Sequence, residues 1–173
     1  NTAMYIQKLD ANGNFIWAKS ITNTVAKAIK VDAVGNSYLI GSIGAGVLVD
    51  LDPGPATYTL SNSIANIFLL KLDVNGDFVW AKQLTASQAI DFSSSTIDAA
   101  GNLLISGSYW GSSNVSSIVT TQFNLFLVKL NSNTGAFIWG KQFAFVSTAK
   151  IVSDGSNNVY LCGAFTGSVD IDP

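Results

Sequence analysis

Ionisable chemistry in this sequence is narrow. All eleven acidic residues are Asp, all nine basic residues are Lys, and Glu, Arg and His are absent. Without His there is no Ser-His-Asp or Cys-His nucleophile pair and no imidazole ligand for a metal. Without Glu the commonest glycosidase and zinc-peptidase carboxylate is missing as well. Oxygen ligation is what remains. The segments Asp50-x-Asp52-Pro53 and Asp170-x-Asp172-Pro173 alternate along an extended chain, which puts each pair of carboxylates on one face, where a hard cation such as Ca²⁺ finds oxygen ligands. Such an ion takes about six to eight oxygens. Asp50, Asp52, Asp170 and Asp172 are therefore weak metal candidates, and turn formation ahead of Pro53 is the expected role. The Asp-x-Asn-Gly segments at Asp10 and Asp73 lack the closing Glu of a calcium-binding EF-hand loop. No cofactor is expected.

Other reactive or adhesive side chains are few. Lys8, Lys71 and Lys129 share one register of a repeating pattern, and Lys19, Lys82 and Lys141 share another, which points to construction rather than catalysis. Asp77, Asp91, Lys27, Lys30 and Lys150 fall outside the shared pattern and are scattered among turns and strand ends. Trp17, Trp80 and Trp139 each follow a Phe by two positions, on the same strand face, as packing residues do. Trp110 has no counterpart elsewhere in the chain. With Tyr109 it stands beside a flexible polar loop (108–114), so this pair is the candidate contact for a glycan or a protein. Cys162, the single cysteine, lies in an apolar run and reads as a packed thiol.

The elements that must position these groups come from an internal repeat. YIQKLDANGNFIWAKSI (5–21) recurs as FLLKLDVNGDFVWAKQL (68–84) and as FLVKLNSNTGAFIWGKQF (126–143), with the Trp residues 63 and 59 positions apart. A second element follows each time and aligns Asp32, Asp98 and Asp154, then Asn36, Asn102 and Asn158, then Gly41, Gly107 and Gly163. The Asp-Pro segments form a third element, which the middle unit lacks. Three units result, approximately 1–63, 64–122 and 123–173.

Each unit reads as roughly four strands, because Asn-Gly and Gly-Asn clusters punctuate short runs rich in β-branched and aromatic residues. Asn12 with Gly13, and Gly35 with Asn36, suit the positive φ of tight turns, and the aspartate before each caps the turn. Runs such as FIWA, IFLLKL, YLIG, LLISG and VYLCG are apolar almost throughout, where a sheet wet on one face would alternate. Both faces are expected to be covered. The reading is all-β: three four-stranded antiparallel repeats stacked as β-propeller-type blades. Three units fall short of the four to eight that typically close a ring, so they form an incomplete part of a propeller. A β-sandwich explains the strands but not the threefold recurrence.

At KLDANGNFIWAK, KLDVNGDFVWAK, the Gly-Asn turn before an apolar strand, and VDLDPG leading to Thr-Leu-Ser (59–61), the chain resembles the bacterial SBBP repeats, named for the seven-bladed β-propeller. The likeness runs over essentially the whole chain. It implies a propeller fold in exported or cell-surface bacterial proteins, and it implies no catalytic residue here.

Apolar residues make up 48% and charged residues 12%, so the chain has ample drive to fold. A net charge of −2 with no Arg leaves no electrostatic footprint for nucleic acid. No apolar run approaches the roughly 20 residues of a membrane helix. The absence of an initiator Met at Asn1 reads as a piece of something longer. The expected function is a non-catalytic structural or interaction module, secreted or on the cell surface, that presents loops to a protein or glycan. The alternative is part of an enzymatic or carbohydrate-binding propeller whose site is completed by other blades. Open end faces of apolar character predict self-association, or contact with neighbouring blades of the same or another chain.

Overall fold

A computed structural model describes residues 2–61, 64, 66–115, 120–144, 146–165 and 168. Its strands are β1 (Ala3–Leu9), β2 (Phe15–Thr22), β3 (Thr24–Val31), β4 (Ser37–Ile43), β5 (Leu48–Asp50), β6 (Thr59–Ser61), β7 (Asn66–Leu72), β8 (Phe78–Leu84), β9 (Ala89–Ile97), β10 (Leu103–Gly111), β11 (Thr120–Leu130), β12 (Phe137–Ala144), β13 (Val146–Ser153) and β14 (Val159–Phe165). Every pairing among them is antiparallel, and no helix occurs among the described residues. The chain is all-β.

One turn, used repeatedly, makes the hairpins. Asp10 Oδ1 accepts from the backbone N–H of Asn12 and Asn14, while the Gly13 N–H returns to the Asp10 carbonyl. The same bonds recur around Asp32 and Asp73, and Asp98 keeps those from Asn102 and Gly101 while the Ala100 N–H donates instead to Asn157 Oδ1. Only the fourth residue of each turn needs the left-handed region: Gly13, Gly35, Gly76 and Gly101 all lie near φ +80° to +93°, whereas Asn12 and Asn36 do not take positive φ. At Asp154 the fourth residue is Asn157, at φ 66°, one of the few non-glycine types that tolerates this conformation. Asn131 substitutes an amide oxygen for the carboxylate in a turn one residue longer, closed by Gly135.

Two compact units result, Asn1–Gln83 and Leu84–Pro173. In the first, β3-β4-β7-β8 form a four-stranded meander and β1-β2 a separate hairpin. Met4, Ile6 and Ile21 of the hairpin bury against Leu39, Ile43, Phe68, Leu70 and Leu72 of the sheet. The Asp-Pro segment adds a small β5-β6 ribbon whose Val49, with Leu51 beyond it, closes the same core. In the second unit β9-β10-β11-β12 form the four-stranded sheet and β13-β14 a separate pair. There Leu104 and Leu127 pack on Ile151, and Ser106 Oγ donates to the Ala149 carbonyl.

The four-stranded sheets straddle the sequence repeat. Each takes its first two strands from one unit and the next two from the following unit, across the boundaries at 63/64 and 122/123. The cause is pairing: the Lys-Leu strand β7 zips onto β4 from Ser37↔Leu72 to Ile43↔Asn66, and β11 onto β10 in the same register from Leu103↔Leu130. Among the described residues there are thus two four-stranded sheets rather than three, flanked in sequence by two-stranded ones.

Cover on both faces holds for the central strands only. β4, β7 and β10 are buried almost throughout, but Phe15 and Ile16 on β2, and Tyr160, Leu161 and Phe165 on β14, are exposed. On β14 the counterparts Tyr38, Leu39 and Ile105 are buried inside four-stranded sheets, whereas β14 lies in a two-stranded one among the described residues; on β2 the outward positions match Val79 and Ile138, which are exposed in the four-stranded sheets as well.

Gly41 and Gly107 are needed where the sheets are tightest. A Cβ on Gly107 would lie 2.1 Å from the Asp91 carbonyl oxygen and 2.6 Å from the Phe126 ring, and one on Gly41 2.4 Å from the Phe68 ring. An aromatic ring on the partner strand fills the space that a side chain would take. Gly107→Ala should therefore cost about 2–3 kcal/mol, as over-packing of a close-packed site does, whereas Gly155→Ala, with nothing within 4 Å, should be near neutral. Urea denaturation of the two variants tests this; equal midpoints would refute it.

Candidate functional site

The turn carboxylates are the densest polar feature. Asp10 and Asp154 are held below the usual carboxylate value of 3.8, chiefly by the side-chain amides of Asn14 and Asn158, with backbone amides adding to the effect. The Asp77 backbone N–H leads the same effect at Asp73. Burial pushes Asp32 and Asp98 upward, but this is outweighed by Asn36 and Tyr38 in the first case and by Lys129 and Asn102 in the second. These groups are acceptors locked into turns, with their lone pairs on the chain's own amides.

Three lysines in one register meet three surroundings. Lys129 Nζ, half-buried, lies 2.6 Å from Oδ2 of the buried Asp98 and ties the β11 strand to the turn before β10. Lys71, also buried, places its ammonium 5.3 Å over the Tyr38 ring, and the Tyr38 hydroxyl in turn donates to Asp32 Oδ2. Lys8, on a strand with no such turn beside it, donates to the Val74 carbonyl. In the second register, Lys19 lies 3.5 Å from Asp77, at the surface.

The Asp-Pro candidates serve the loop. Asp50 Oδ1 accepts from the N–H groups of Asp52 and Tyr58, and Asp52 Oδ1 from that of Gly54. Both carboxylates bind backbone, and no group of three or more acidic or thiol ligands comes together among the described residues. Asp170 and Asp172 lie outside the described residues.

Tyr109 and Trp110 separate. Tyr109 is fully buried, packs on Phe126 and donates its hydroxyl to Gln142 Oε1 at 2.6 Å, so it belongs to the sheet and presents no ring to a ligand. The alternation of a strand turns its neighbour outward, and Trp110 is 36% exposed. Cys162 is exposed rather than packed, because β14 is the outer strand of a two-stranded sheet. Of the charges outside the shared pattern, Lys150 donates to the Ser93 carbonyl, Asp91 accepts from the Phe92 N–H and Asp77 meets Lys19. Each serves its own neighbourhood. Sequence reasoning missed two things here: the Asp98–Lys129 pair, for which the shared Lys register was the signal, and the aromatic rings opposite Gly41 and Gly107.

No family model and no curated protein matches the chain.

Two outcomes follow for stability. Asp98→Asn keeps the turn acceptor but leaves the half-buried Lys129 ammonium beside a neutral group, so it should cost about 2 kcal/mol, less than unpairing a fully buried charge, and Lys129→Met should recover part of that loss; thermal melts of the single and double variants check this. Folding lowers the five aspartate pKa values, so the folded state holds protons less tightly than the unfolded chain. The stability they contribute is complete above the unfolded value of 3.8 and is lost as pH falls through the lower folded values. Circular-dichroism melts should thus be flat from pH 7 to about 5 and drop steeply below about 4. A melting temperature unchanged at pH 2.5 would contradict this.

Proposed function

We propose that the chain is a non-catalytic scaffold of the SBBP-repeat kind: β-propeller-type blades forming part of an incomplete ring, in a secreted or cell-surface bacterial protein, that present loops to protein or glycan partners. One observation carries this reading. The carboxylates that recur along the sequence bind the chain's own turn amides in an arrangement that repeats from one hairpin to the next, and Lys8, Lys71 and Lys129 each engage the chain's own carbonyl, ring or carboxylate. Charge that builds every repeat alike is architectural, since an active site gathers charge unique to one place. Four-stranded meanders with both faces of their central strands covered fit blades. Trp110 offers a partly exposed ring to a sugar face or a partner protein.

Two measurements test the reading. Chromogenic ester, glycoside, peptide and phosphoester substrates should show no turnover above buffer. Turnover abolished by replacing a single Asp or Lys would establish the enzymatic alternative. For the blades, spin labels at Asn12, Asn75 and Asn133, equivalent turn positions in the three units, should give two equal successive distances. The outer distance should be between about 1.4 and 1.85 times either, the ratio for an arc of a four- to eight-bladed ring. Labels on Cys variants of a Cys162→Ser chain, diluted in unlabelled protein, give these distances by pulsed electron resonance. A ratio of 2 would mean a straight stack.

A further inference from the structure

The two-stranded sheets β1-β2 and β13-β14 are complementary halves of the four-stranded one. In both complete sheets a Gly-Asn pair comes first and a Lys-Leu hairpin second, joined by β4-β7 or by β10-β11. Among the described residues β13-β14 is the equivalent pair, turned at Asn157-Asn158, with no hairpin beside it, and β1-β2 is a hairpin with no such pair beside it. Transferring the register of β4-β7 sets Val159 opposite Leu9, Tyr160 opposite Lys8, Cys162 opposite Ile6 and Gly163 opposite Tyr5.

That register matches chemistry at each rung. Gly41 and Gly107 face Phe68 and Phe126, and Gly163 would face Tyr5, an aromatic ring now 75% exposed. Lys71 sits over Tyr38, whose hydroxyl donates to Asp32, and Lys129 pairs with Asp98. The Tyr160 hydroxyl already donates to Asp154 Oδ2 at 3.1 Å, and the register would bring Lys8 to this prepared site. The charges are complementary.

Both halves also border open grooves. Beside the edge of β1 that has no strand partner among the described residues, Tyr5, Gln7 and Leu9 with Ala26 and Ile29 line a groove of about 480 Å³. Beside β14, Leu161, Cys162 and Phe165 with Leu125 and Phe143 line one of about 460 Å³. Each groove has as its floor the sheet on which a missing strand pair would lie: in the first unit β1-β2 already packs on β7-β8, and β11-β12 is the counterpart floor next to β14.

We propose that β14 of one copy takes up β1 of a second copy, so that β13-β14 and the incoming β1-β2 hairpin form a four-stranded sheet between chains. This rests on the blade reading above and names its partner, a second copy of this chain. The contact is heterologous, so each added copy offers the next free edge.

Directly opposite residues in an antiparallel pair lie within disulfide reach. Light scattering of the wild-type chain should show a mass at least double that of the monomer, rising with concentration. After mild oxidation, Ile6→Cys should form interchain disulfides with the native Cys162, whereas Gln7→Cys, one residue off and on the opposite face, should not. Ile6 is buried, so Lys8→Cys with Tyr160→Cys on a Cys162→Ser chain repeats the test at exposed or half-buried sites. A monomer at every concentration, equal cross-linking at positions 6 and 7, or a disulfide within one chain would each overturn the proposal. If these fail while the spin-label ratio stays within the arc, the exchange alone is wrong; a ratio of 2 removes the blade reading as well.

Discussion

A carboxylate that accepts the amides two and four residues ahead is the interaction on which this structure depends. Short turns expose several backbone N–H groups at once, and an unsatisfied one costs as much as a lost hydrogen bond. Asp10, Asp32, Asp73 and Asp154 satisfy them in the same way, and Asp98 takes the amide four ahead while Asn157 takes the one two ahead, with a left-handed residue to close each loop. Register follows, because a turn of fixed length sets which residues stand opposite and hence which face each side chain takes. With register set, Leu39 and Leu70, or Ile105 and Val128, meet across their strands and are buried together.

Packing then selects among the strands. Central strands bury nearly every side chain, so their sequences lose the alternation of a half-wet sheet, and a lysine among them must bring its own partner. Lys129 has Asp98, and Lys71 has the Tyr38 ring. Such pairs contribute less to net stability than apolar residues of the same shape would, yet either partner left alone is expensive. They therefore act as a lock on register more than as a source of cohesion.

Much of the fold was legible because the signals are local. Asn and Gly at set offsets from Asp announce hairpins, and the spacing of the Trp residues announces repetition. The β-class, the antiparallel order and the turn role of the aspartates, Asp50 and Asp52 included, follow from those signals. What was not legible depends on partners remote in sequence. Gly163 resembles Gly41 and Gly107 in every local respect, and Cys162 sits in a run as apolar as theirs, but exposure is decided by whether a strand lies alongside. The same limit explains Tyr109, which a polar loop nearby suggested as a surface ring and which Phe126 and Gln142 hold inside.

The offset between sequence repeat and hydrogen-bonded sheet has an evolutionary corollary. Because a tandem copy begins and ends in mid-sheet, unequal crossing-over that inserts or removes one copy leaves the severed halves on either side still matched. Lengthening or shortening such a gene needs no new terminal design, so repeat number is free to drift while the local rules stay unchanged.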